Sequence, residues 1–305
     1  MIGIALGVLP WSWFLVRDHL GSFGDEVGIG MPALVVPVLG ALALSARWLR
    51  WRAVVPVMVS WALVFAAVIG GPRLPVAMGE PADPVTLLSA NVRYDNLEQD
   101  EAALDLLAQD PDVLVVPEAT PRIMPSLRPH FEHVVVYEDE DDPDRSYGVA
   151  VFSHLPLRDL RTLDIGNGVI RVRVDGPHPF VLFAAHLSRP VLNPREDAHV
   201  THAENHEEVE RLHDAILRED LPVVVAGDLN LSDRTRGYRM LDDDLTDVTR
   251  DGWARNTYVG GFYRFFQLRI DHVFASEGWC GDRVDLFGVT GSDHRGIRVD
   301  IGPCR

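Results

Sequence analysis

Three uncharged apolar stretches open the chain, at residues 2–16, 30–46 and 53–71, and none carries the polar stripe of a helix on a soluble surface. At 1.5 Å per residue the third stretch covers the ~30 Å hydrocarbon core of a bilayer, the second is at the short limit, and the first is too short unless the bilayer thins. Two or three transmembrane helices are therefore expected, with Pro32, Pro37 and Pro56 tolerated in them as they would not be in soluble helices. The intervening "RWLRWR" at residues 47–52 predicts a cytoplasmic loop, so everything after the third stretch is expected outside the cytoplasm. Residues 17–30, with one Arg against three acids, read as a loop on the opposite side.

Beyond a proline-rich tether at 72–84 the pattern changes to short apolar runs alternating with polar breaks. Strands are predicted at 85–92, 112–116, 133–137, 148–152, 169–174, 180–185, 222–226, 270–275 and 296–301, and helices at 98–109 and 197–217. Several strands are continuous apolar runs, which suits burial on both faces. The expected division is membrane helices at 1–71, a linker at 72–84 and a soluble domain at 85–305.

Of the 305 residues, 47% are hydrophobic and 24% charged, which excludes a disordered or collagen-like chain. The charge is unevenly shared: residues 1–79 hold five Arg and three acids, leaving 23 Arg against 42 acids, a net of −19, beyond them. So acidic a domain repels a phosphate backbone in place of gathering it nonspecifically. The chain has no Lys, which removes Schiff-base chemistry, and its two cysteines, Cys280 and Cys304, cannot alone form a zinc cluster. The acidic run at 138–144 reads as a solvated loop, and His202 and His206, four apart, as part of a polar helix surface in preference to a zinc site.

Polar side chains fall at the ends of the apolar strands: Asn91 in "LLSANVRYDN", Glu118 in "DVLVVPEAT", His186 in "FAAHLSRP", Asp228 and Asn230 in "VVVAGDLNLS", Asp271 in "RIDHVFAS", and Asp293 and His294 in "GSDHRGI". Strand ends converge on one rim of a sheet, where a site can stand on a rigid scaffold. Taken singly, each has a plain structural explanation as a turn or helix-terminal residue. Together and in this order the six strings resemble the endonuclease/exonuclease/phosphatase family, the deoxyribonuclease I-like hydrolases, from Val85 to Ile301. The resemblance implies an α/β fold, a four-layer α/β/β/α sandwich following the membrane helices, and divalent-metal-dependent cleavage of phosphoester bonds.

Such hydrolysis needs a cation to neutralise developing charge, an oriented water, and a group to accept its proton. Magnesium or manganese is expected, since a site with few carboxylates leaves the metal its waters. Glu118 is the first expected metal ligand, with Asn91 beside it and Asp293 as a further ligand or orienter. Asp228 would polarise the attacking water and Asn230 donate to a phosphoryl oxygen. His294 is expected as general base or as the cation opposing the phosphate, oriented by Asp271, and His186 as a donor to the phosphate or leaving oxygen. Arg145, Tyr147 and Arg189 are candidate substrate contacts. Two positions depart from the family pattern: Arg93 stands where some relatives have a second acid, and Pro117 where a Gln is common.

The segment "WARNTYVGGFYRFFQLRIDH" gathers Trp253, Tyr258, Phe262, Tyr263, Phe265 and Phe266 just before Asp271, which suggests a loop meeting a lipid tail, a base or the membrane surface. With the acidity and the membrane segments, this favours a lipid-linked or small phosphoester over nucleic acid. The rival reading is a non-catalytic binding module displayed on the membrane, disfavoured because every chemical position is filled. Outside the cytoplasm a Cys280–Cys304 disulfide is expected.

Overall fold

The computed structural model describes residues 2–45, 51–137, 148–190, 201–251 and 253–305. Three N-terminal helices, α1 (Ile2–Val16), α2 (Ser22–Ser45) and α3 (Trp51–Phe65), pack together, with Met31, Val64, Phe65 and Val68 at their centre. α3 runs on through a π turn, Ala66–Gly70, and a 3-10 turn, Gly71–Arg73. Two helical stretches, Ser22–Ser45 and Val54–Arg73, are long and apolar enough to cross a membrane. Their outer faces show bare aliphatics such as Val36 at 79% and Leu44 at 72% exposure.

The expected loop at 17–30 is helical from Ser22, so α2 begins with Asp25 and Glu26 inside it. A charge near this helix start is tolerated because Asp25 is buried against the rest of the protein, accepting from the Arg236 backbone N–H at 2.7 Å and its Nε at 3.1 Å. The chain thus returns to the same end of the helix bundle at residues 17–25 and at Arg73, where both segments meet the soluble part.

Within that part, strands β1 (Val85–Ser89), β2 (Val113–Pro117), β3 (His133–Tyr137), β4 (Val149–Ser153), β5 (Leu157–Leu163), β6 (Val169–Val174), β7 (Phe180–His186), β8 (Val223–Asp228), β9 (Leu245–Asp247), β10 (Asp271–Ser276), β11 (Trp279–Gly288) and β12 (Arg295–Pro303) form two six-stranded sheets. Their orders are β11-β12-β1-β2-β4-β3 and β5-β6-β7-β8-β10-β9. Helices α4 (Gln99–Leu107) and α5 (Met124–Leu127) cover the first sheet, and α6 (His202–Ile216) and α7 (Arg236–Asp244) the second. This is the expected α/β/β/α sandwich.

The four layers explain the apolar runs. In β2, Val113 and Val115 face the opposing sheet while Leu114 and Val116 face the helices. In β7, Phe180, Leu182 and Ala184 point inward, and Val181, Phe183 and Ala185 outward onto α6. Each such strand has both faces covered, so polarity appears only where the strand leaves the sheet. α6 starts at Thr201 in a reciprocal cap, the Thr201 hydroxyl accepting from the Glu204 N–H at 3.2 Å and Glu204 accepting from the Thr201 N–H at 2.6 Å. Cys280 in β11 and Cys304 beyond β12 are disulfide-bonded, with 5.1 Å between their Cα atoms.

Candidate active site

The central pairs β1/β2 and β7/β8 are parallel, so their C-terminal ends open on one rim of the sandwich. Asn91 follows β1 and Glu118 follows β2, while His186 closes β7 and Asp228 closes β8. β10 and β12 run antiparallel to their neighbours and begin at that rim, bringing in Asp271 and His294. Asp228 pairs in register with His186 on one side and Asp271 on the other. Gly227 permits this approach: its φ is +145°, and a Cβ would stand 1.9 Å from the Ala185 carbonyl oxygen.

Around Asp228 the polar atoms form two linked groups. The Asn91 amide donates to Glu118 Oε1 at 2.8 Å and to Asp228 Oδ2 at 2.9 Å, while its own oxygen accepts from the Arg93 N–H at 2.8 Å. The Tyr94 N–H donates to Glu118 Oε2 at 2.8 Å. Glu118 itself holds φ at +56°, a backbone conformation that a non-glycine residue adopts only when its surroundings require it. His186 Nδ1 lies 3.1 Å from the Gly148 carbonyl oxygen, which can only accept, so in the neutral ring the Nε2 lone pair is left facing Glu118 Oε1 at 3.7 Å. Glu118, His186 and Asp228 each offer a ligand atom within 4.8 Å of the others. This donor set fits a divalent cation: two carboxylates, and an imidazole whose outer nitrogen is fixed by a carbonyl.

The second group is Asp228, Asp271 and His294. His294 Nδ1 sits 2.9 and 3.1 Å from the two Asp271 oxygens, and its Nε2 is 3.8 Å from Asp228 Oδ2. Burial works against a charged ring here, but Asp271 and then Asp228 outweigh it and carry His294 up to about 10. Burial, and next the charge of Asp271, push Asp228 up to about 6. A carboxyl so desolvated is stabilised as the anion by added positive charge, which a cation beside Glu118 would supply.

Asn230 also sits at positive φ, +50°, donating one amide proton to the Leu187 carbonyl at 2.8 Å, and its N–H caps Asp228 at 2.9 Å. Asp293 joins neither group; its carboxylate and the Tyr258 hydroxyl both lie against Gly260. Arg189 stands exposed near Tyr258. Arg145 and Tyr147, like the acidic run at 138–144, lie outside the described residues.

Two further side chains reach the site. Tyr258 stacks edge-on against His294, centroids 5.0 Å apart, and burial followed by the Asp293 charge pushes its hydroxyl up to about 12. The Asn167 amide comes within 3.5 Å of His186 Nε2. The aromatic segment flagged Tyr258 only as one ring among six, and nothing in the sequence singles out Asn167.

A rim of carboxylate, amide and imidazole groups on a twin-sheet α/β sandwich is an arrangement suited to a phosphoester hydrolase, and the family to which the chain belongs is of that class. The model of the Endonuclease/Exonuclease/phosphatase family matches residues 88–294, and the chain belongs to that family, whose members are metal-dependent. Among solved structures it resembles an endonuclease/exonuclease/phosphatase from Beutenbergia cavernae DSM 12333 (21% identity, TM-score 0.59, 73% of this chain and 72% of that one). It also resembles a humanized D. rerio TDP2 (17%, TM-score 0.57, 72% and 100%) and the human Nocturnin catalytic domain (14%, TM-score 0.57, 74% and 95%). No curated protein sequence matches the chain.

Proposed function

We propose that the protein is a membrane-anchored phosphoesterase that uses Mg2+ or Mn2+ and acts outside the cytoplasm on a lipid-linked or small phosphoester. The observation that carries the hydrolytic reading is the convergence of Glu118, His186 and Asp228 beside the Asp271–His294 pair. Glu118, His186 and Asp228 would hold the cation, with Asn91 aligning the two carboxylates. Bound there, it supplies charge neutralisation on the phosphoryl oxygens.

The chain's own groups do the rest. Asp228, capped by the Asn230 N–H at 2.9 Å, orients the attacking water and takes its proton as the water oxygen bonds to phosphorus; the ester P–O bond breaks, and its oxygen leaves as the alcohol with a proton from solvent. His294, held as imidazolium by Asp271, donates from Nε2 to a phosphoryl oxygen. Asn230 keeps one amide proton for a second phosphoryl oxygen, and Arg189 stands at the mouth to meet the ester's outer substituent.

Location and substrate rest on separate observations. The Arg-rich sequence at 47–52 comes after Ser45, the end of α2 away from the Asp25–Arg236 contact, which agrees with the positive-inside rule for an outward catalytic domain, and the disulfide fits an oxidising space. The 3-10 turn Phe262–Phe266 packs near α2 and exposes Phe262, Tyr263 and Phe265 by more than half. That is a surface suited to lipid, and Tyr258 links the same segment to His294. Presenting the full chain in liposomes with phospholipids, lipid-linked sugar phosphates, mononucleotides and duplex DNA tests this: metal-dependent turnover of the lipid-linked or small esters is expected, and turnover of DNA alone would overturn the substrate assignment.

A further inference from the structure

We propose a second anion site, distinct from the catalytic rim, where the helix bundle meets the sandwich: a pocket for the phosphoryl group of an anionic lipid in the leaflet facing the sandwich. A cavity of about 250 Å3 lies there between the 3-10 turn at Arg17, the end of α3 and α7. Arg17, Arg234, Arg239 and Arg250 line it together with two carboxylates, Asp233 and Asp242. None of Glu118, His186, Asp228, Asp271 or His294 does.

The charges do not balance. Arg17 and Arg239 share one carboxylate, that of Asp18. Asp242 is matched one to one by Arg250 at 3.2 Å. Asp233 serves Arg73 at 3.2 Å, Arg234 at 3.6 Å and Arg269 at 3.4 Å, and only Arg269 has a further carboxylate, Asp247 at 2.5 Å. One guanidinium is thus in excess at the Arg17–Arg239 wall of the cavity, and a second in the buried group around Asp233 behind it. Unbalanced charge in a buried place is costly, and an anion of one or two charges removes the cost.

Donors are also left over. Among the described residues, the Arg239 Nε is buried without a partner, and behind it so is the Nε of Arg234, whose side chain is wholly inaccessible and donates to the Phe266 carbonyl at 2.7 Å. The Arg17 side chain makes no hydrogen bond among the described residues; its guanidinium lies over the Phe14 ring at 4.3 Å and approaches Asp18 only to 3.9 Å. Burial pulls both Arg17 and Arg234 below the usual value, the latter to about 10. A phosphoryl group offers several acceptor oxygens and the charge that such a cluster lacks.

The cavity's remaining wall points to a lipid as the carrier. It is built from Ala67, Val68, Gly71 and Pro72, the last turns of the apolar stretch Val54–Arg73, so acyl chains leaving the pocket run down a hydrophobic helix. This inference rests on the proposal that Ser22–Ser45 and Val54–Arg73 lie in a bilayer, and it is independent of the catalytic reading.

Native mass spectrometry of the full chain, released from nanodiscs of phosphatidylcholine containing a minor share of phosphatidylglycerol, tests it. Phosphatidylglycerol should be retained above its share of the disc. Arg17→Gln, which breaks no hydrogen bond, should lower that retention about tenfold, the loss of one charge-assisted contact. Arg239→Gln should do the same, and Arg298→Gln, on the other sheet, should not. Retention unaffected by either cavity variant, or no enrichment at all, would overturn the site. Retention of inorganic phosphate by detergent-purified protein without any lipid preference would overturn the lipid as its source. Failure of the chain to enter the discs would overturn the membrane placement beneath it.

Discussion

Glu118 owes its position to a left-handed backbone at the end of a fully buried strand, and its carboxylate is held from both sides by Asn91 and the Tyr94 N–H. Glu118→Gln keeps the size and removes the charge, so the fold should persist while turnover falls about 100-fold or more. Circular dichroism beside a rate measurement checks both halves. Asp271→Asn should act through His294, which loses its charged partner and the tautomer that partner selects. If the pair works as a unit, the Asp271→Asn/His294→Ala double variant should be little slower than the slower single variant, whereas multiplying losses would separate their roles. His294 also makes a prediction in pH. Its folded value of about 10 stands above the ordinary 6.5, so its contribution to stability is complete below about pH 6.5 and is lost as pH rises toward 10. Urea melts of metal-free protein across that window should show the decline, and Asp271→Asn should flatten it. At this scale the sequence was readable wherever a polar residue ended an apolar strand. Tyr258 escaped because its importance lies in a contact with His294 that no local pattern encodes.

Strands covered on both faces declare themselves as uninterrupted apolar runs, which is why β2, β7 and β8 could be placed before any coordinates. Of the edge strands, β3 was placed, but β5, β9 and β11 were not. β5 (Leu157–Leu163) is largely exposed and bulges between Arg158 and Arg161, and β11 (Trp279–Gly288) bulges between Asp282 and Asp285, so charged residues interrupt both patterns. α7 hides for a similar reason, ending in three consecutive acids. Behind the site, elements are joined by a buried network that sequence alone does not announce. Arg269 donates to Asp247 at 2.5 Å and to the Tyr238 hydroxyl at 2.9 Å, and His272 Nε2 donates to the Leu231 carbonyl at 2.8 Å, pinning the loop that follows Asp228. The Asp247 carboxyl is held well below its usual value: burial opposes this, and Arg269 overcomes it. Arg269→Leu would strand that carboxylate, with an expected loss of about 3–5 kcal/mol of stability. A change below about 1 kcal/mol in denaturant unfolding would show the network to be dispensable.

The whole molecule couples an apolar helix bundle to an acidic sandwich through Asp25–Arg236 and Arg73–Asp233, while residues 46–50 of the arginine-rich sequence between α2 and α3 lie outside the described residues. If that sequence is cytoplasmic, Cys280 and Cys304 in intact cells should resist a membrane-impermeant thiol reagent until reduced, then label; labelling without reduction would contradict the bridge, and labelling only after lysis the outward topology. The four-layer architecture was legible from strand order and family likeness. The docking of the bundle was not, because it depends on ion pairs between residues more than a hundred positions apart. The central claim, that Glu118, His186 and Asp228 hold a cation that drives phosphoester hydrolysis, is tested most directly by nitrophenol release from bis(p-nitrophenyl) phosphate. Wild-type protein should turn over with magnesium or manganese, stop in EDTA, recover when the metal is restored, and lose its activity in Glu118→Gln; turnover that persists in EDTA, or in Glu118→Gln at the wild-type rate, would contradict it.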